Sequence, residues 1–447
     1  MSTLADRLRD ALKVGRPEGR PLQSDSDVCR GGPSGPPETD VAEALDGEWH
    51  ELDGQRYLVV ERKYSPGYCH GRATIADLAP PDEGLWPSFG LLSADVPAQG
   101  RLMFLDLETT GLAGGAGTYA FLVGCGWFEG ATFRTRQFFL SSFGDEAALL
   151  CGVAELARES SAIATYNGKS FDLPLIETRF VYRRTPTPFA TLSHVDLLHP
   201  ARKLWRSDDD AGEGGGCRLT SLERSVYGFE RDGDIPGFEL PSRYFHYVRT
   251  RDARQLAPVL EHNRLDLISL AFLAARVAHL LEHGVEAVES AREALGLGRL
   301  YERAGRLVDA KACYARAAGL DGADLKVVPY GERNARHVGA DLQVGPDGVT
   351  RAEALRAYAV LCRRERRYEE AAGAWLAVLT LRGCPELIAR EATSALAVHH
   401  EHRVKDAAAA RRFALQSLQL SRTISVREAL HHRVARLNRK LGLSFEI

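Results

Sequence analysis

The sequence predicts a mixed α/β domain, a five-stranded sheet flanked by helices, followed by an all-helical region. Two observations carry that expectation. Strands and helices alternate between residues 101 and 285, and beyond 285 the pattern turns to Ala-, Leu- and Arg-rich helices with an internal repeat. The 447 residues, 45% hydrophobic and 26% charged, agree with it, since ~150 residues per domain gives two to three domains.

Taken in order, Leu4, Leu8, Ala11 and Leu12 fall at helical spacing, and Gly15 to Thr39 is too rich in Gly, Pro, Ser and Asp to bury a core. Residues 1–45 therefore read as a short helix and a disordered linker. Residues 46–98 read as a β-rich segment, with Tyr57 to Val60 as a strand run and a turn at Ser65-Pro66-Gly67, packing on the α/β domain C-terminal to it. Within 99–285, Leu102 to Leu107, Tyr119 to Trp127 and Thr132 to Leu140 are strands, and Phe128-Glu129-Gly130 makes the last two a hairpin. A helix over Asp145 to Arg158, a buried strand over Ala162 to Tyr166, a helix over Leu173 to Arg183 and a strand over Leu192 to Leu198 complete a meander joined to β-α units. In 286–447, Leu297, Gly298, Tyr301, Ala310, Tyr314 and Ala317 reproduce tetratricopeptide spacing. Tyr358, Ala359, Ala371, Trp375 and Val378 repeat it, with a weaker third copy at Ala410, Ala414 and Ser417.

The balance of 57 basic and 60 acidic residues excludes a polycation that coats nucleic acid through bulk charge, although residues 286–447 carry +7. Eight cysteines without a CxxC pair argue against a disulfide scaffold and a thiolate zinc site. No run approaches the ~20 apolar residues of a membrane span, and the charged N-terminus lacks a signal-peptide core. A cytoplasmic protein is expected.

Three clusters carry chemistry. The first strand ends in D-L-E-T-T-G-L, which puts Asp106 and Glu108 on one side of it. Behind the buried strand comes Y-N-G-K-S-F-D-L-P, in which Asn167-Gly168 makes a turn and Asp172 opens a helix; a plain N-cap would also explain that Asp. In E-H-N-R-L-D-L-I-S-L, His262 and Asp266 lie one helical turn apart, a spacing that a surface pair also shows.

Together these motifs resemble those of the DEDD superfamily of 3′-to-5′ exonucleases: D-x-E, then N-x-x-x-[FY]-D, then an aromatic or His shortly before an Asp. From about Arg101 to Leu281 the chain looks most like the bacterial YprB-type RNase H-like domain, here followed by tetratricopeptide-like repeats. The resemblance implies that Asp106, Glu108, Asp172 and Asp266 hold two divalent ions, Mg²⁺ or Mn²⁺, which hard oxygen donors favour and which clamp a phosphodiester. It implies action on single-stranded DNA or RNA ends. His262-x-x-x-Asp266 has the spacing at which relatives place Tyr; a His there can orient or deprotonate the attacking water. Asn167 is expected to support the second-motif turn and, with Lys169 and Thr109, to contact the substrate. A nucleic-acid-binding scaffold without cleavage and a structure-specific endonuclease stand as alternatives, and the repeats are expected to bind a protein partner or hold substrate.

The glycine-rich stretch Gly111 to Gly117 reads as a hairpin entry, and Asp208-Asp209-Asp210 as a mobile acidic loop. Trp205 reads as core, His399, His400 and His402 as repeat packing, and Arg363, Arg364, Arg366 and Arg367 as a solvated face that also suits nucleic acid.

Overall fold

The computed structural model describes residues 41–80, 85–97, 99–111, 117–206, 217–320 and 347–443. The expected N-terminal helix, most of the glycine-rich stretch, the acidic loop and residues 321–346, between the expected first and second repeats, lie outside them.

Strands β1 (Glu48–Leu52), β2 (Gln55–Tyr64), β3 (Leu102–Thr109), β4 (Ala120–Glu129), β5 (Thr132–Phe139), β6 (Ala162–Thr165) and β7 (Ser193–Asp196) form one sheet in the order β1-β2-β5-β4-β3-β6-β7. The meander pairs are antiparallel, and β3-β6 and β6-β7 are parallel. The five expected strands are all present. What the sequence reading assigned to a separate β-rich segment instead extends the same sheet, because β2 pairs with β5 through seven residues from Leu58↔Phe139 to Tyr64↔Phe133. An unpaired β5 edge would expose a row of backbone donors and acceptors; β2 satisfies them.

Residues of β3 alternate between the two faces: Leu102 and Phe104 enter one core, and Met103, Leu105 and Leu107 the other. Helices α1 (Glu146–Arg158), α2 (Asp172–Tyr182), α3 (Leu198–Leu204), α4 (Leu240–Thr250) and α5 (Ala257–His283) cover the sheet. Leu198 to Leu204, expected in part as strand, belongs to α3; β7 ends at Asp196, and Leu198 N–H donates to the Asp196 carboxylate. The 27-residue α5 starts with Pro258 in its first turn and ends at Gly284, whose φ of 64° is available to glycine at little cost.

The C-terminal region is all helical: α6 (Ala291–Arg303), α7 (Leu307–Ala318), α8 (Asp347–Arg364), α9 (Tyr368–Thr380), α10 (Glu386–His399), α11 (Ala407–Gln419) and α12 (Ile424–Leu441), each packed on the next. A Cβ at Gly298 would stand 2.5 Å from the Tyr314 ring, so glycine sets the close approach of α6 and α7. One hydrophobic core runs from the sheet across α5 into these helices. Glu293 ties the junction by accepting hydrogen bonds from Trp205 Nε1 (2.7 Å) and Arg276 Nη2 (2.9 Å), and Tyr301 donates to the Leu281 carbonyl (3.0 Å).

Candidate active site

The site is built on one row of the sheet. Asp106 on β3 pairs with Gly124 on β4, which pairs with Gln137 on β5. Over the glycine lies Asn263 of α5, fully buried. Its amide donates to the Asp106 carboxylate (2.8 Å) and carbonyl (3.2 Å) and accepts from Gln137 Nε2 (2.8 Å). A Cβ on residue 124 would fall 2.2 Å from Asn263 Oδ1, so only glycine admits the bridge.

Glu108 stands two residues on, at a shift of the β3-β4 register. It is 8% exposed. One carboxylate oxygen of Glu108, one of Asp266 and one ring nitrogen of His262 lie within 4.8 Å of each other. The His262 Nε2 to Asp266 Oδ2 separation is 3.6 Å, and the opposite ring nitrogen, Nδ1, is 2.8 Å from Asp234 Oδ1. Burial opposes ionisation of Asp234, but the His262 hydrogen bond and the Arg231 charge outweigh it and hold the carboxyl below its usual range. An ionised carboxylate only accepts, so His262 Nδ1 is assigned the hydrogen from its partner. Arg231, with a side chain 4% exposed, donates to Glu223 (2.5 and 2.9 Å), to Asp234 (3.1 Å) and to Asp266 Oδ1.

Asp172 opens α2 as its first residue, and Phe171 occupies the N-cap without a side-chain cap hydrogen bond, so Asp172 is not the N-cap residue. The preceding loop is held by Asp196, whose carboxylate accepts from the backbone N–H groups of Asn167 (2.8 Å) and Lys169 (3.0 Å). Asn167 takes a φ of 65°, which Asn tolerates better than most residues, and a Cβ at Gly168 would clash with Thr165. Asn167 thus sits in the turn as expected. The Lys169 side chain is exposed, and the Thr109 hydroxyl donates to the Gly111 carbonyl (3.0 Å).

The acids perturb one another. Burial, then the charges of Asp266 and Asp172, push the Asp106 carboxyl well up, against the Asn263 hydrogen bond and Arg231. Burial, then Asp106, Asp266, Asp172 and Asp234, do the same to Glu108. Asp172 is pushed up to about 7 by burial first and by Asp196 and Asp266, against a hydrogen bond from its own backbone. Arg231 offsets the charge of Asp266 and part of that of Asp106, but among the described residues no cation pairs with Asp106, Glu108 or Asp172; a divalent cation with oxygen ligands would relieve that frustration.

Five contributors escaped the sequence reading: Gly124, Gln137, Asp196, Arg231 and Asp234. Asn263 escaped it too, although its spacing of three from Asp266 put it on the same helix face. Among weaker signals, Trp205 packs at the junction, His400 stacks on Phe413 with ring centroids 5.3 Å apart, and Arg364 and Arg367 pair with Glu302 and Glu370.

The fold is an RNase H-like α/β domain followed by an all-helical region, and residues 103–278 match the family model of the RNase_H superfamily, which suggests a nuclease. Over 389 residues the chain is 29% identical to a protein of Bacillus subtilis (strain 168) named Uncharacterized protein YprB, with 86% of each chain covered. No described helix is long and apolar enough to cross a membrane.

Proposed function

We propose that the protein is a DEDD-type, metal-dependent 3′-to-5′ exonuclease acting on single-stranded nucleic acid ends in the cytoplasm, with its catalytic unit in residues 99–285. The observation that carries this reading is the electrostatic coupling of acids from one strand and two helices: Asp172 and Asp266 raise the cost of ionising Asp106 and Glu108, and Glu108 and Asp266 face each other with His262 within ligand reach. The donor set fits Mg²⁺ or Mn²⁺: it is rich in carboxylate oxygens, and among the described residues Glu108 has no hydrogen-bond or ion-pair partner although it is buried. Two such ions, held by these acids, would supply Lewis-acid stabilisation of the phosphodiester and activation of water. The chain's own part is to fix the donors: Asn263 clamps Asp106, Arg231 fixes one oxygen of Asp266, and Asp196 holds the loop before Asp172. Asn167, the exposed Lys169 and Thr109, which follows Glu108 in the strand, would meet the substrate. Residues 286–447, read as tetratricopeptide-like repeats, would bind a protein partner or the substrate strand.

The test is hydrolysis of end-labelled single-stranded DNA and RNA of matched sequence with Mn²⁺ or chelator, alongside Asp106→Ala and Asp266→Ala. A metal-dependent ladder from the 3′ end, absent in both variants while they remain folded, is expected. Tight binding without cleavage of single strands, duplexes or hybrids refutes the nuclease; cleavage of circular substrate makes it an endonuclease.

A further inference from the structure

We propose that the junction of α3 with α6 is a track for the phosphates of a single strand of nucleic acid, built from Arg202, Lys203 and Arg206 at the end of α3 and Arg292, Arg299 and Arg303 along α6. The proposal rests on the nuclease reading and extends it to the body of the strand whose end the cleft would hold.

The two helices meet through their backbones. A Cβ at Gly296 would stand 2.2 Å from the Lys203 carbonyl oxygen, so glycine is what lets the end of α3 lie against α6. Arg292 donates to the Arg206 carbonyl, and Trp205 Nε1 donates to the Glu293 carboxylate at 2.7 Å. Along α6, Arg292, Gly296, Arg299 and Arg303 follow one another at steps of four, three and four, which is one face of a helix, and that face is turned to α3.

The cations gathered there lack carboxylate partners. Neither α3 nor the two residues after it contains an acid, and the two acids of α6 are already used. Glu293 accepts from Trp205 and Arg276, and Glu302 from Arg364 and Tyr314. Arg299 pairs with Glu353 of α8 at 2.6 Å, but among the described residues no carboxylate pairs with Arg202, Lys203, Arg206, Arg292 or Arg303. Elsewhere on the chain Arg62, Arg134, Arg136 and Arg356 each reach one. Helix C-termini welcome single cations, yet here the ends of two helices are brought together and their charges oppose one another. Burial, then Arg303 and Arg299, push the Lys203 amine below its usual value. A polyanion laid along the junction removes that repulsion.

The track begins beside the cleft. Asp196 accepts from Leu198 N–H in the first turn of α3 and from the N–H groups of Asn167 and Lys169, so α3 and the loop before Asp172 share one acceptor. Arg202 is close enough to Tyr166 to oppose the upward shift that burial and Cys217 impose on its phenol. From Arg292 to Arg303 the α6 face runs for about 16 Å at ~1.5 Å per residue, room for about five phosphates at ~3.4 Å per stacked nucleotide. Arginine, whose planar fork matches phosphate oxygens, supplies all but one of the cations, which favours a nucleic-acid backbone over an acidic protein segment.

The experiment is anisotropy titration of the full chain with a labelled oligothymidylate of about 20 nucleotides in chelator, at several salt concentrations. At ~0.7 ions released per single-strand phosphate contact, six contacts give a slope of log K against log salt near about −4. The triple variant Arg202→Gln, Arg206→Gln, Arg303→Gln, all at exposed positions, should lower that slope to about −2 and weaken binding ~100-fold at about 0.1 M salt. Arg62→Gln, Arg134→Gln, Arg136→Gln removes the same charge from the opposite side of the sheet and should change affinity less than ~3-fold. A wild-type slope shallower than about −1 overturns the proposal whether or not a variant folds. Equal losses in both variants assign the binding to bulk charge and overturn it as well. So does unchanged affinity in the first variant, the result expected if Asp208, Asp209 and Asp210, which lie outside the described residues, neutralise the stripe. An oligoglutamate of equal charge that competes as well as the oligothymidylate makes the partner an acidic protein segment instead. Metal-dependent cleavage with affinity unchanged in the first variant removes the track and leaves the nuclease; the expected loss of affinity without any cleavage by the wild type does the reverse.

Discussion

Replacing Gly124 by alanine should disable the site without touching any acid. The added methyl lies 2.2 Å from Asn263 Oδ1 and 2.8 Å from its Cγ and Nδ2, inside contact distance of three atoms of a fully buried side chain. Asn263 cannot retreat along the helix, because Gln137 holds its oxygen from one side and Asp106 its nitrogen from the other. Overpacking a core costs ~1–3 kcal/mol, and losing a hydrogen bond to a charged group ~1.5–3 kcal/mol, so a destabilisation of ~3–5 kcal/mol is expected. Asn263→Ala alone removes the bridge and should cost ~2–4 kcal/mol through unsatisfied buried groups. The two changes share one cause. The double variant, in which the methyl fills space vacated by the amide, should therefore be close to Asn263→Ala alone, giving a coupling of ~2 kcal/mol or more in a double-mutant cycle. Urea denaturation of the four proteins supplies the free energies. Additive effects within ~0.5 kcal/mol would refute the argument that Gly124 exists to admit Asn263.

The raised carboxyls make a second prediction in chelator. Asp172 at about 7, with Asp106 and Glu108 also raised, keeps protons in the folded state that the unfolded chain has already released above pH ~4. Stability from this source is complete below the unfolded values and is lost as pH rises toward 7, so metal-free protein should melt lower at pH 8 than at pH 5.5. Saturating Mn²⁺ should reverse the difference, since cation binding at ~100 times Kd adds ~2.7 kcal/mol; a melting temperature flat with pH in chelator would contradict the raised carboxyls. Asp196→Ala should cost ~2–4 kcal/mol and speed hydrogen exchange at Asn167 and Lys169, because their N–H groups and that of Leu198 lose one shared acceptor. Unchanged exchange there would show that the loop is held by something else.

The four acids stand out in the sequence because each sits in a local pattern: a strand-end pair two residues apart, a turn before a helix, a one-turn helical spacing. Their supports do not, because they are made by contacts between distant segments. Glu230-Arg231-Asp232-Gly233-Asp234 reads as a solvated turn until Asp266 and His262, about 30 residues later, are folded against it. Gly124 and Gln137 are ordinary strand residues until strand register sets them beside Asp106. The run Tyr57 to Val60 announces a strand but not the sheet edge it joins, so the two added strands could not be placed from alternation alone.

Helix α5 carries His262, Asn263 and Asp266 near its beginning and the carbonyls of Leu280 and Leu281 that receive Tyr301 near its end. At 1.5 Å per residue its 27 residues make a rod of about 40 Å, buried along most of its length. Such a rod turns as a whole: a tilt of about 5° around its middle moves either end by about 2 Å, more than the tolerance of a metal-ligand distance. A displacement of α5 at its Leu280–Leu281 end would therefore carry His262, Asn263 and Asp266 with it as one body.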